Sequence, residues 1–177
     1  RDVLNAVNES LGTNVTKYIF VDTDTIKTVC DNLGGMVYEV KEDVYYESET
    51  AFASIQSGLQ RINGTTLTAL LENPENFNKD IKGLTEFGSI MSALIYSQDA
   101  KRVEAMSESV FNTIINNSST NLTAEDYLLR KDAINYMASN TEKIVNVISA
   151  DGTFDITKDN FTPTDEFIKK LQAVFNS

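Results

Sequence analysis

Residues 18–25 read Tyr-Ile-Phe-Val-Asp-Thr-Asp-Thr, an apolar, β-branched run that delivers two carboxylates, Asp22 and Asp24, one residue apart. This pair of carboxylates at the end of an apolar run is the sharpest local pattern in the chain. The same spacing also suits a helix start, where one aspartate caps the first turn and the next meets the positive end of the helix dipole. Asp151 and Asp155 form a second spaced acidic pair towards the C-terminus. Few other residue types offer chemistry. The chain has no histidine, which removes the commonest general base, the commonest zinc ligand and every triad built on imidazole. Its one cysteine, Cys30, lies among apolar residues at helical spacing and reads as a buried thiol.

The run Tyr18 to Thr25 resembles the first motif of the haloacid-dehalogenase-like phosphatases. That resemblance implies Asp22 as nucleophile, Asp24 as acid/base and a Mg²⁺ ion between them, with Asp151 and Asp155 echoing the distal acidic pair that holds the metal. It covers eight residues. The serine/threonine motif, the lysine and the many parallel strands of that family have no counterpart here, so helix capping ranks ahead of phosphatase chemistry for Asp22 and Asp24. Asp151-Gly152-Thr153-Phe154-Asp155 also has the alternating oxygens of a calcium loop, but Ile156 and Thr162 stand where glycine and glutamate are required. It reads as a turn. Gly34-Gly35 follows a helix and lacks the other glycines of a phosphate loop. No catalytic, cofactor-binding or metal-binding residue is therefore assigned, and no cofactor is expected.

These residues must be positioned by a chain of 177 residues, 41% hydrophobic and 23% charged, which is enough for one domain spanning 1–177 without staples. The formal charge of −11 repels phosphate backbones and anionic headgroups, so nucleic acid and direct membrane insertion are not expected. Asn-x-Ser/Thr acceptors at Asn8, Asn14, Asn63, Asn116, Asn117, Asn121 and Asn160 point to an exported protein. The chain opens on Arg1, which suggests processing upstream.

Val3, Leu4, Val7 and Leu11 predict an opening helix ended by Gly12, and Val15 to Val21 a buried strand. Asp22 is the expected N-cap of a helix with Ile26, Val29, Cys30 and Leu33 on one face, closed by Gly34-Gly35. Met36 to Val40 is a strand candidate with Val44-Tyr45-Tyr46 as its return, giving a strand-helix-strand or hairpin element near 17–46. Phe52, Ile55, Leu59 and Ile62 predict a helix ended by Asn63-Gly64, followed by a short helix at Leu67, Leu70 and Leu71 and a loop from Glu72 to Asp80. Stripes from Ile81 to Ile95 and from Val103 to Ile115 predict two helices or one long one. Thr123 with Asp126 forms a capping box for a helix to about Asn140, Asn140 caps another through Ile148, and Thr162-Pro163-Thr164-Asp165 starts the last. The expected fold is mainly α, α-rich with α+β as the alternative: a single-domain helical bundle of about seven helices with that small element at 17–46.

Function follows from what is missing. The first expectation is a non-enzymatic structural or assembly protein, a virion, filament or surface-layer subunit, partnered by other protein subunits or by copies of itself. An exported ligand-sensing or adhesive ectodomain with a small-molecule ligand is the alternative, and the Mg²⁺-dependent phosphatase the remote one. The expected location is a virion, or the extracellular space or cell surface.

Overall fold

The computed structural model describes residues 2–47, 52–73, 81–96, 100–139, 147–155, 157–158 and 160–175. Helix α1 (Asp2–Leu11) is amphipathic and stops at Gly12. Strand β1 (Ile19–Phe20) is shorter than the apolar run suggests. Its partner is β6 (Ser119–Thr120), antiparallel, with Ile19 opposite Thr120 and Phe20 opposite Ser119. Helix α2 (Thr23–Asn32) begins at Asp22, whose side chain accepts the Thr25 N–H. It ends in a Gly34-Gly35 turn, where the Gly35 N–H returns to the Cys30 carbonyl at 2.8 Å. Gly35 has φ +83°, and a Cβ there would sit 2.5 Å from the Ile62 carbonyl oxygen, so glycine is required twice over.

A long, bent antiparallel ribbon follows. β2 (Met36–Val40) pairs with β5 (Gly58–Ile62) from Met36↔Ile62 to Val40↔Gly58, and β3 (Val44–Glu47) pairs with β4 (Phe52–Ile55) from Val44↔Ile55 to Glu47↔Phe52. At the bend the Asp43 carboxylate accepts the Ser57 N–H at 2.7 Å. Met36, Tyr38, Val40, Val44, Ile55 and Ile62 turn inwards. Against that face pack Cys30 of α2, Leu67 and Leu70 of α3 (Gly64–Glu72), and Ile90 and Leu94 of α4 (Ile81–Tyr96). Burying each large aliphatic side chain contributes roughly 1.5–3 kcal/mol, so this layer is where the stability of the described chain is concentrated. Helix α5 (Ala100–Asn116) packs on α6 (Ala124–Ser139) through the stacked rings of Phe111 and Tyr127, 4.8 Å apart. The hairpin β7 (Gly152–Asp155)–β8 (Asn160–Pro163) leads into α7 (Asp165–Phe175), which lies along α1.

The expected mainly α bundle is therefore corrected to an α+β fold, with seven helices and four antiparallel strand pairs among the described residues. The decisive segment is 52–62. Its apolar spacing of three and four places all four residues on one face of a helix, but a spacing of three puts neighbours on opposite faces of a strand. Phe52 and Leu59 are 72% and 74% exposed, while Ile55 and Ile62 are 5% and 2% exposed, so strands won. Asn63 then opens α3 as its N-cap instead of closing a helix. The strand-helix-strand unit is corrected too: β1 and β2 each take a partner from elsewhere in the chain, and Val44 to Tyr46 does not return along β2. The 74–80 part of the expected loop, the 97–99 break and most of the helix expected from Asn140 lie outside the described residues.

Candidate functional site

Asp22 and Asp24 are brought to the start of α2, where their roles separate. Asp22 Oδ1 accepts the Thr25 N–H at 2.8 Å, and its pKa is held below the usual carboxylate range by hydrogen bonds from Thr25. Asp24 sits in the first turn, where its carbonyl accepts the Thr28 hydroxyl. Between these aspartates, Thr23 donates its hydroxyl to Glu72 Oε1 at 2.9 Å, and Tyr46 donates to Glu72 Oε2 at 2.8 Å. Glu72 thus ties α3 to α2 and β3. Asp151 accepts the Thr164 hydroxyl at 2.9 Å beside the start of α7, and Asp155 accepts from Thr157 and pairs with Lys158 within its own hairpin. The carboxylates of Asp22, Asp151 and Asp155 are thus engaged in local hydrogen bonds, and that of Asp24 lies in the first turn of α2, where the helix dipole favours a negative charge. No group of three or more acidic or thiol side chains among the described residues could hold a metal ion. Every strand pair among the described residues is antiparallel, so the parallel sheet that the phosphatase resemblance requires is not what presents Asp22.

A second carboxylate, Glu86 on α4, accepts from the Tyr38 hydroxyl and from the Lys41 ammonium. Burial and the neighbouring Glu86 carboxylate raise the Tyr38 pKa, which keeps its phenol a hydrogen-bond donor. Cys30 is fully buried, and burial pushes its thiol up to about 11. It is no nucleophile in the folded chain.

A concave surface among the described residues lies elsewhere. A cleft of about 490 Å³ opens between α1, the segment that leads into β1, and the start of the connection from β6 to α6, lined by Leu4, Asn5, Asn8, Asn14, Val15, Thr16, Tyr18 and Asn121. Two of its asparagines build it. Asn8 Nδ2 donates to the Val15 carbonyl at 2.8 Å, while Asn8 Oδ1 accepts the Val15 N–H and the Thr13 hydroxyl, each at 2.9 Å. Asn121 reaches across from the other end of the fold: its Nδ2 donates to the Thr16 carbonyl at 2.7 Å and its Oδ1 accepts the Tyr18 N–H at 3.0 Å. Thr120 reinforces the junction by donating its hydroxyl to the Tyr18 carbonyl at 2.5 Å. Alongside, Lys17 and Asp126 pair at 2.6 Å and cancel each other's charge. The sequence presents Asn8, Asn14 and Asn121 only as glycosylation acceptors, Tyr18 only as the start of the run that leads to Asp22, and gives Asn5 no role. The abundance of asparagine around 5–14 was the available signal, but its meeting with Asn121 was not.

The fold is shared with solved bacterial structures. A protein of Eubacterium siraeum is 20% identical, with TM-score 0.74 over 99% of this chain and 69% of that one. TagV of Bacillus subtilis is 17% identical, with TM-score 0.65 over 96% of this chain and 66% of that one. The LytR-Csp2A-Psr enzyme of Actinomyces oris is 16% identical, with TM-score 0.64 over 98% of this chain and 69% of that one. The chain thus spans about two thirds of the length of these structures. No curated protein matches it. The LytR_cpsA_psr family model matches residues 2–173. Members of that family are enzymes of the cell envelope, which overturns the expected non-enzymatic virion, filament or surface-layer subunit. At a coarse level the cell-surface location holds. A match over nearly the whole sequence, on a fold those structures share, means that the chain belongs to the LytR_cpsA_psr family.

Proposed function

We propose that this chain acts at the bacterial cell envelope in glycopolymer transfer, moving a cell-wall polymer onto peptidoglycan. The observation that carries the reading is the family match over residues 2–173, because members of that family transfer cell-wall polymers to peptidoglycan. The fold shared with the Actinomyces oris enzyme over 98% of this chain supports it. The acidic groups beside α2 and α4 are occupied in joining elements together, and the described cleft offers a polymer a concave, uncharged surface. The finer location belongs to the same proposal: the protein works tethered to the membrane on the envelope side, as its family typically does. The test is deletion of the gene in its source bacterium, followed by quantification of the glycopolymer that stays covalently attached to purified peptidoglycan. Attached polymer falls in the deletion strain and returns with the wild-type gene. Unchanged attachment rejects the reading.

A further inference from the structure

We propose that the amide-lined cleft is a binding site for an uncharged saccharide. The inference deepens the transfer reading and rests on it for the identity of the polymer, while the class of ligand follows from the cleft itself. The chain carries 26 acidic and 15 basic side chains, yet none of the eight lining residues is an aspartate, glutamate, lysine or arginine. A phosphate or carboxylate would find no counter-charge in the cleft and a net negative protein around it. What the walls do offer is planar amides, each with donors and an acceptor side by side, the complement of neighbouring hydroxyls that both donate and accept.

The division of labour among the asparagines carries the argument. Asn8 and Asn121 spend their amides on the backbone of 15–18 and hold that segment in place. Asn5, Asn14 and the hydroxyls of Thr16 and Tyr18 make no side-chain hydrogen bond among the described residues, and they face the same opening. Thr16 and Tyr18 lie on that fixed segment, Asn14 borders it and Asn5 stands on α1, so these polar groups can bind with little further ordering of the backbone. Leu4, Val15 and the Tyr18 ring give the apolar surface that the C–H face of a sugar ring requires. A volume of about 490 Å³ lies in the range of small-ligand sites.

The experiment records the side-chain amide resonances of the whole chain by NMR during titration with chitotriose and maltotriose, against trigalacturonate as charged control and trialanine as peptide control. Asn5 and Asn14 amides move on addition of a neutral trisaccharide and stay still with both controls. Asn5→Ala and Asn14→Ala each weaken that binding about tenfold, the loss of one or two hydrogen bonds, and leave the rest of the spectrum unchanged because neither side chain has an internal partner. Still resonances with both trisaccharides at millimolar concentration, or equal movement with trigalacturonate or trialanine, overturn the proposal. The two readings fail separately. Unchanged polymer attachment on gene deletion sinks the transfer function, whereas full attachment by the Asn5→Ala/Asn14→Ala double variant together with an unresponsive cleft sinks the saccharide site alone.

Discussion

Asp126 receives the Lys17 ammonium at 2.6 Å and the Thr123 N–H at 2.9 Å, and these donors lower its pKa from 3.8 to about 2. The sign of the linkage follows. An unfolded chain takes up this proton before the folded one does, so the contribution is complete above about pH 4 and is lost as pH falls towards 2. In Asp126→Asn that part of the acid-induced loss disappears, and urea midpoints measured at descending pH show a shallower fall than the wild type's. A comparable test separates capping from chemistry at Asp22. Asparagine caps as well as aspartate does, so Asp22→Asn keeps the thermal midpoint and the polymer attachment of the wild type, whereas Asp22→Ala lowers the midpoint by removing the acceptor of the Thr25 N–H. Loss of attachment in a folded Asp22→Asn protein would return this residue to the reacting groups. These single-residue features were the most legible in the sequence. Caps act over three or four positions, so Asp22 before α2, Thr123 with Asp126 before α6 and Thr164 before α7 are local signals that the structure repeats.

At the scale of elements most helices and the first half of the ribbon, Met36 to Val40 and Val44 to Tyr46, are legible as such, and its second half is not. Apolar residues at 52, 55, 59 and 62 satisfy a helix, and nothing within the segment tells whether a spacing of three means one face or two. The answer comes from partners: β5 has β2 opposite it, and β4 has β3. Burial therefore assigns very different consequences to two leucines that a helical reading treats alike. Leu67→Ala, at a position with no exposure, costs about 2–5 kcal/mol. Leu59→Ala, 74% exposed on the outer face of the ribbon, changes stability by no more than about 0.5 kcal/mol. Chemical denaturation of both variants measures the contrast, and equal costs would restore a buried helix at 52–62. The candidate site was hidden for the same reason. Residues 4–18 become a cleft only when Asn121 arrives, 103 positions beyond Tyr18, and a hydrogen bond of that reach has no signature in local spacing.

The whole molecule carries a built-in reporter of its own cooperativity. Cys30 is the only cysteine, it is fully buried, and it sits at the centre of the layer in which α2, α3 and α4 cover the ribbon. Burial pushes the thiol up to about 11, and alkylation needs an exposed thiolate. At pH 8 the folded protein is therefore inert towards iodoacetamide, and reaction proceeds through opening of this layer. If residues 1–177 form one cooperative domain, as their length and continuous pattern suggest, opening the layer is the same event as losing the peripheral pairs α5–α6 and α1–α7. Alkylation of Cys30 across a urea series then rises with the same midpoint as the loss of helical circular dichroism. A Cys30 midpoint at distinctly higher urea would mean that the peripheral helices melt first and that the ribbon layer stands as a separate unit. Leu67→Ala should shift both curves together in the cooperative case, because its side chain belongs to the layer that encloses Cys30. A shift confined to the thiol curve would divide the chain.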